Sequence, residues 1–303
     1  MAQLKHYLLL HFVVLIWGFT AVLGLLISIP SVEVVFYRTL IASLALAVVL
    51  LVGKKPSALK RPAVIAIMGT GTLIAAHWIL FFTAARVANA SVCLAGMATC
   101  SLWTSLLEPW MIGRKIRVYE VGLGLLVIVG LYVIFRFEFD HALGLAMAIG
   151  SAMLGAVFTI LNARFAQQYD AYVITFYEMI GACLSVALFF PVYAAYLSEA
   201  GSLLLAPTVS DWGYLLILSL VCTLYAFSAS VHLMRYVTAF AMNLTNNLEP
   251  VYGILLAVLI FGEKEAMSVP FYVGTSIILL SVLAYPVIRR LQRRRALSAE
   301  LIS

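Results

Sequence analysis

The chain has 303 residues, 64% of them hydrophobic and only 11% charged, with a mean hydropathy of +1.08. A soluble domain of that length needs far more polar surface to cover itself, so the composition excludes one and indicates a polytopic membrane protein. The net charge of +6 is spread so unevenly that its distribution carries more meaning than its size.

Hydropathy and segment length divide the chain into ten spanning segments, at about 7–27, 32–53, 62–84, 89–111, 117–136, 142–164, 171–195, 211–233, 239–261 and 268–288. The expected fold class is therefore an all-α integral membrane protein. The first apolar run, Tyr7 to Ile29, is of spanning length and lacks a small-residue cleavage site, so it reads as a span rather than a signal peptide. Ile29-Pro30-Ser31, Lys54-Lys55-Pro56, Phe139-Asp140-His141 and Pro207 to Asp211 punctuate the joints. Cys93, Cys100, Cys183 and Cys222 all lie inside apolar segments, where they read as small buried residues with neither metal-ligand nor disulfide spacing.

Basic residues sort between alternate loops. One side receives Lys5, Lys54, Lys55, Lys60, Arg61, Arg114, Lys115, Arg117, Arg164, Arg235 and the arginines from Arg289 to Arg295; the other receives only Arg86, Arg136 and Lys264. By the positive-inside rule both termini are cytoplasmic. The basic tail, 291–303, fits a topology and lipid-headgroup role better than nucleic-acid binding.

The chain also repeats. Phe36-Tyr37 recurs as Phe176-Tyr177, with Arg38 answered by Glu178, and Phe19-Thr20 recurs as Phe158-Thr159. Arg86 stands as far before Gly113-Arg114-Lys115 as Arg235 does before Gly262-Glu263-Lys264. The halves, 1–136 and 142–290, hold five segments each. Because five is odd, the second copy enters the membrane from the opposite side, giving two inverted five-helix repeats, an architecture of alternating-access transporters with a site near the midplane.

The ninth segment departs most from plain hydrophobicity. Asn243, Asn246, Asn247 and Pro250 share one helical face with Glu249 at its shoulder, and Pro250 leaves the carbonyl of Asn246 without its usual donor. Such groups are tolerated at membrane depth where they face protein or a water-filled cavity. The repeat-equivalent place in the first half is Thr99-Cys100-Ser101, where no proline kink is expected. Arg38 and Glu178, at matching places, are candidates for an ion pair that switches as the halves rock. Glu249 is the candidate protonatable coupling group. A polar stripe of Ser151, Gly155, Thr159 and Asn162 on the sixth segment suits helix packing, and Met97, Cys100 and Thr104 form a soft face on the fourth. Gly69 and Gly71 on the third segment, and Gly122, Gly124 and Gly130 on the fifth, read as packing or hinge glycines. Trp17, His77, Trp78, Tyr225, Asn243, Asn246 and Asn247 are the candidate substrate-binding residues.

With His11 to Thr20, Phe36-Tyr37-Arg38, Arg235 to Ala239, Leu248-Glu249-Pro250 and Leu259 to Lys264 in this order and duplicated, the sequence resembles the drug/metabolite transporter superfamily, in its EamA-type ten-helix branch. The resemblance covers almost the whole chain. It implies two EamA-like repeats with segments 1, 3, 4, 6, 8 and 9 around a central cavity, 2 and 7 flanking it, and 5 and 10 at the periphery. It further implies a multi-pass protein of the bacterial plasma (inner) membrane that exports small metabolites or amino-acid-like solutes, with proton coupling through Glu249 left open. Gly113-Arg114-Lys115 departs from the family's usual Gly-Glu-basic pattern. Short loops poor in paired Asp or His disfavour a membrane enzyme, and a channel does not need the inverted repeat. No Lys or Arg lies deep in the second half, which disfavours phosphate-bearing substrates. The expected partners are a small-molecule substrate and the lipid bilayer, with no nucleic acid, no cofactor, no metal and no catalytic residue; a homodimer is left open.

Overall fold

The computed structural model describes residues 3–54, 58–137, 141–198, 201–249, 252–253, 259, 262 and 268–300. The regular structure among them is helical: α1 (Leu4–Leu26), α2 (Ser31–Val52), α3 (Arg61–Val87), α4 (Ala90–Met97), α5 (Cys100–Ile112), α6 (Val118–Phe137), α7 (Ala142–Phe165), α8 (Ala171–Tyr196), α9 (Val209–Leu216), a π-helix (Ile217–Tyr225), α10 (Ala226–Leu233), α11 (Ala239–Asn246) and α12 (Val269–Glu300). Eight spans among these residues are long and apolar enough to cross a membrane, and α6 carries a shorter apolar stretch. The expected ninth segment is described only at its start, and Pro250 lies outside the described residues.

Local chemistry sets the helix starts. The side chains of Asn89, Asp170, Thr208 and Thr238 accept hydrogen bonds from backbone N–H groups at the starts of α4, α8, α9 and α11. Pro62 stands in the first turn of α3. Gly113, at φ +69°, ends α5 in the left-handed conformation.

The two halves interdigitate. Helix α3 of the first half packs against both α7 and α8 of the second, and α2 packs against α8. The closest approach is backbone to backbone. A Cβ at Gly71 would lie 2.2 Å from the carbonyl oxygen of Glu178, and one at Gly181 would lie 2.2 Å from that of Met68. Small residues permit this packing where the surrounding lipid gives no hydrophobic drive between helices. Nothing lies near a Cβ built at Gly69 or Gly122, so of the five glycines read from sequence Gly71, Gly124 and Gly130 pack closely. Helices α6 and α12 pack on each other.

Two sets of polar contacts tie the loops. Ser28 donates to Asp211 through its N–H (2.8 Å) and its hydroxyl (2.6 Å), Arg86 donates to the carbonyls of Gly24 and Ile27, and Leu204 N–H donates to Glu33. At the other end Arg235 donates to the carbonyls of Ala166 and Tyr169 (2.7 Å each), Gln167 donates to that of Met234, and Arg164 to that of Met111. Each set joins loops that the charge pattern assigns to one side. Arg114 bridges Glu108 (2.9 Å) and Glu120 (2.7 Å) just beyond α5. Partial burial opposes its charge, but these two carboxylates outweigh that and hold its pKa above the ordinary arginine value.

Candidate functional site

The fourth span is broken. Helix α4 stops at Met97, a turn occupies Ala98 and Thr99, and α5 begins at Cys100. The ninth is broken at the repeat-equivalent place: α11 stops at Asn246, Asn247 and Leu248 form the turn, and helix resumes at Glu249. Both turns use the tighter i to i−3 pattern, with Thr99 N–H donating to Gly96 O in one and Leu248 N–H to Thr245 O in the other. The missing proline thus does not spare the first half a break, contrary to the expectation from sequence. Serine and threonine hydroxyls that bond backbone carbonyls three or four residues back supply a local alternative to straight helix. Thr99 donates to Gly96 O (2.9 Å) and Thr104 to Cys100 O (2.7 Å).

The two breaks are cross-linked. Asn243 donates its amide to Thr104 Oγ1 (2.8 Å), and Asn247 donates to Ser101 Oγ (2.9 Å). Of the three asparagines, Asn243 and Asn246 border the cavity described next, and Asn247 lies outside its lining. Asn247 is buried and acts as a strut between the broken spans. Asn246 Oδ1 has no partner among the described residues.

A cavity of about 80 Å³ opens between the halves. It is bordered by residues of α1 (Trp17), α2 (Arg38), α3 (His77, Trp78), the α4–α5 break (Met97, Cys100), α7 (Thr159), α10 (Ser230) and the α11 region (Asn243, Asn246, Glu249). This matches the segments implied by the family resemblance, with one correction: the second segment, expected to flank the cavity, contributes Arg38. Tyr225 is not part of the lining. It is 41% exposed and packs edge-on against Phe12, because the π-helix changes the register of side chains on this span.

Arg38 is 2% exposed. Its Nε donates to Thr223 Oγ1 (2.7 Å), and its guanidinium lies 3.7 Å from the ring centroid of Trp78. The π-helix presents that hydroxyl, with Thr223 itself donating to the carbonyl of Leu218 five residues back. The same segment offers the Cys222 carbonyl to Trp17 Nε1 (3.0 Å). His77 donates from Nδ1 to the Ser151 carbonyl (2.8 Å), and Ser151 Oγ donates to the His77 carbonyl (2.8 Å), which fixes the ring at the cavity wall. Of the stripe on the sixth segment, Gly155 and Thr159 border the cavity while Ser151 serves packing.

The expected Arg38–Glu178 pair does not form. Glu178 is fully buried beside the Asn162 amide, without a hydrogen bond of ordinary geometry and away from the cavity lining. Arg38 instead shares the cavity with Glu249, and the two interact electrostatically. Residue-level matching of the repeats pointed to the wrong carboxylate, because equivalent positions of an inverted repeat need not face each other. Phe81, Phe158, Phe227, Met234 and Met242 complete the wall. None of these was a candidate site residue from sequence: Phe158 entered only as part of the repeat, and nothing distinguishes the others there from other apolar positions.

Among the described residues no group of three His, Cys, Asp or Glu side chains is arranged to hold a metal ion. No curated protein matches the chain. One solved crystal structure superposes with a TM-score of 0.68 at 16% identity, over 93% of this chain and 96% of that one. At that identity the likeness shows the fold alone. The model of the EamA-like transporter family matches twice, over residues 4–136 and 142–285. Since those two matches take in nearly all of a helical, membrane-spanning chain, it belongs to the EamA-like transporter family.

Proposed function

We propose that this protein is a secondary transporter of ten spanning helices, arranged as two inverted five-helix repeats over 1–136 and 142–290. It exports small metabolites or amino-acid-like solutes across a bacterial plasma membrane, with both termini in the cytoplasm. The observation that carries this reading is the cavity between the halves, which gathers a buried arginine of α2 with a glutamate and two asparagines of the broken ninth span and is bordered also by the break of the equivalent fourth span. Charges at membrane depth cost roughly 2.5–3.5 kcal/mol each on insertion scales, so their concentration around one cavity marks a solute path. Broken helices at a repeat interface are the usual way such paths present polar backbone to a solute.

In this reading Trp17, His77, Trp78, Asn243 and Asn246 contact the solute, and Asn247 holds the two breaks together. The halves rearrange around the fixed site to open its two ends in turn. Glu249 carries the coupling proton, being the carboxyl that borders the cavity. The test is uptake of a solute panel (amino acids, organic cations, sugars and nucleosides) by proteoliposomes holding the purified protein. Saturable uptake of one class above empty liposomes is expected. Failure of every class under inward and outward proton gradients would contradict the reading.

A further inference from the structure

Much of the cavity lining comes in matched pairs from the two repeats. Thr20 and Thr159, Met97 and Asn246, and Cys100 and Glu249 hold equivalent places in the halves, and all of them border the cavity. The matched pair of Arg38 and Glu178 is split. Arg38 borders the cavity, whereas Glu178 lies outside the lining and is 0% exposed. The two stand at mirrored depths. Arg38 is seven residues after Ser31, where α2 starts, and Glu178 is seven after Ala171, where α8 starts; each is about 10 Å along its helix. The helices start at opposite ends of the bundle, α2 beside the Ser28–Asp211 contact and α8 beside the contacts of Arg235 with Ala166 and Tyr169.

The surroundings of the two differ sharply. Arg38 is held by Thr223 at its Nε and by Trp78 at its face. Neither carboxyl oxygen of Glu178 makes a hydrogen bond of ordinary geometry among the described residues, and neither does the oxygen or nitrogen of the adjoining Asn162 amide. Asn162 is also fully buried. These polar atoms have lost water and gained nothing in return, which is costly in a membrane-spanning bundle. Helix packing does not account for a carboxyl group placed there, because Gly71 packs on the backbone carbonyl of Glu178 and not on its side chain.

We propose that Glu178 enters the solute path in the opposite-facing state of the protein, taking there the place that Arg38 holds in this one. An inverted repeat reaches its opposite state when each half takes up the arrangement of its twin. The exchange that withdraws Arg38 from the path therefore delivers Glu178 to it, and water then satisfies the carboxyl group and the Asn162 amide. The two residues do not pair; they alternate. The path carries a guanidinium when open toward one face and a carboxyl group when open toward the other. This inference rests on the transport reading, but its test reads access at a single residue, so the two can fail separately.

The experiment measures access from each face of the membrane. Glu178→Cys and Arg38→Cys are introduced singly into a chain whose native cysteines, Cys93, Cys100, Cys183 and Cys222, are replaced by alanine. An impermeant thiol reagent is applied to right-side-out and to inside-out vesicles. Glu178→Cys is expected to react from the cytoplasmic face, the face at which the charge pattern places the start of α8, and to be spared from the other. Arg38→Cys is expected to show the reverse. Reaction at Glu178→Cys should be slower than at the exposed Gln168→Cys by on the order of 10-fold, because only the opposite-facing population is open. A second measurement uses the unaltered chain and decides where the cysteine variants do not fold. A water-soluble carbodiimide with an amine nucleophile should modify Glu178 in proteoliposomes active in counterflow, as read by mass spectrometry. Glu178 that stays unmodified in that active preparation overturns the proposal and leaves the transport reading standing. Reaction of Glu178→Cys only from the face that reaches Arg38→Cys overturns it as well.

Discussion

At the residue scale the site turns on a small number of polar groups that low-dielectric surroundings make costly. Glu249 borders the cavity, and Arg38 is the cation within its electrostatic reach. If this carboxyl carries the coupling proton, Glu249→Gln removes the proton but keeps the shape. Accumulation driven by a pH gradient should then fall to the level seen without a gradient, while exchange at saturating solute continues. Undiminished gradient-driven accumulation in the variant would assign coupling elsewhere. Asn243, Asn246 and Glu249 were legible in the sequence because polar residues at membrane depth need a reason. The strut role of Asn247 was not, since it depends on Ser101, a residue 146 positions away. Arg38 drew attention as a charge, but its partners Trp78 and Thr223 follow from tertiary packing and a π-helix that leave no pattern in composition.

At the scale of elements, span boundaries follow hydropathy and capping residues to within a few positions, and these are local signals. The break in the fourth span was not legible, because proline was the only breaker recognised. Its twin in the ninth begins two residues before Glu249 and uses the same i to i−3 turn, so the shared cause lies in the turn chemistry of both halves. Helix packing offers a sharper test. Gly71 and Gly69 are both helical and two residues apart, yet only Gly71 faces the backbone of α8. Gly71→Ala should lower stability by about 1–3 kcal/mol, as overpacking does. Gly69→Ala should be neutral or stabilising by about 0.5–1 kcal/mol, the helix preference of alanine. Unfolding in a lipid or detergent titration checks both, and equal effects would contradict the α3–α8 contact.

At the scale of the molecule, the charge pattern and the internal repeat made a helical, duplicated plan legible, and a cavity lies between the halves. How the halves interleave was not, since α3 of one half lies against α7 and α8 of the other only after folding. The topology has a direct check through surface cysteines, as Cys93, Cys100 and Cys222 are buried and Cys183 is half-buried. In right-side-out membranes an impermeant thiol reagent should label Ser202→Cys, in the connection before α9, and should spare Gln168→Cys, in the connection before α8. Both positions are exposed. The reverse pattern would invert the protein.

In the proposed function the cavity serves alternating access and not an open pore. Solute counterflow tests it most directly. Proteoliposomes are loaded with a high concentration of an unlabelled solute that the protein accepts and are diluted into a trace of the same solute carrying a label. Alternating access gives a transient overshoot of label inside, above the outside concentration, which Gly155→Trp, filling the cavity wall, abolishes. Labelled solute that only equilibrates, with no overshoot and no stimulation by solute inside, would contradict it.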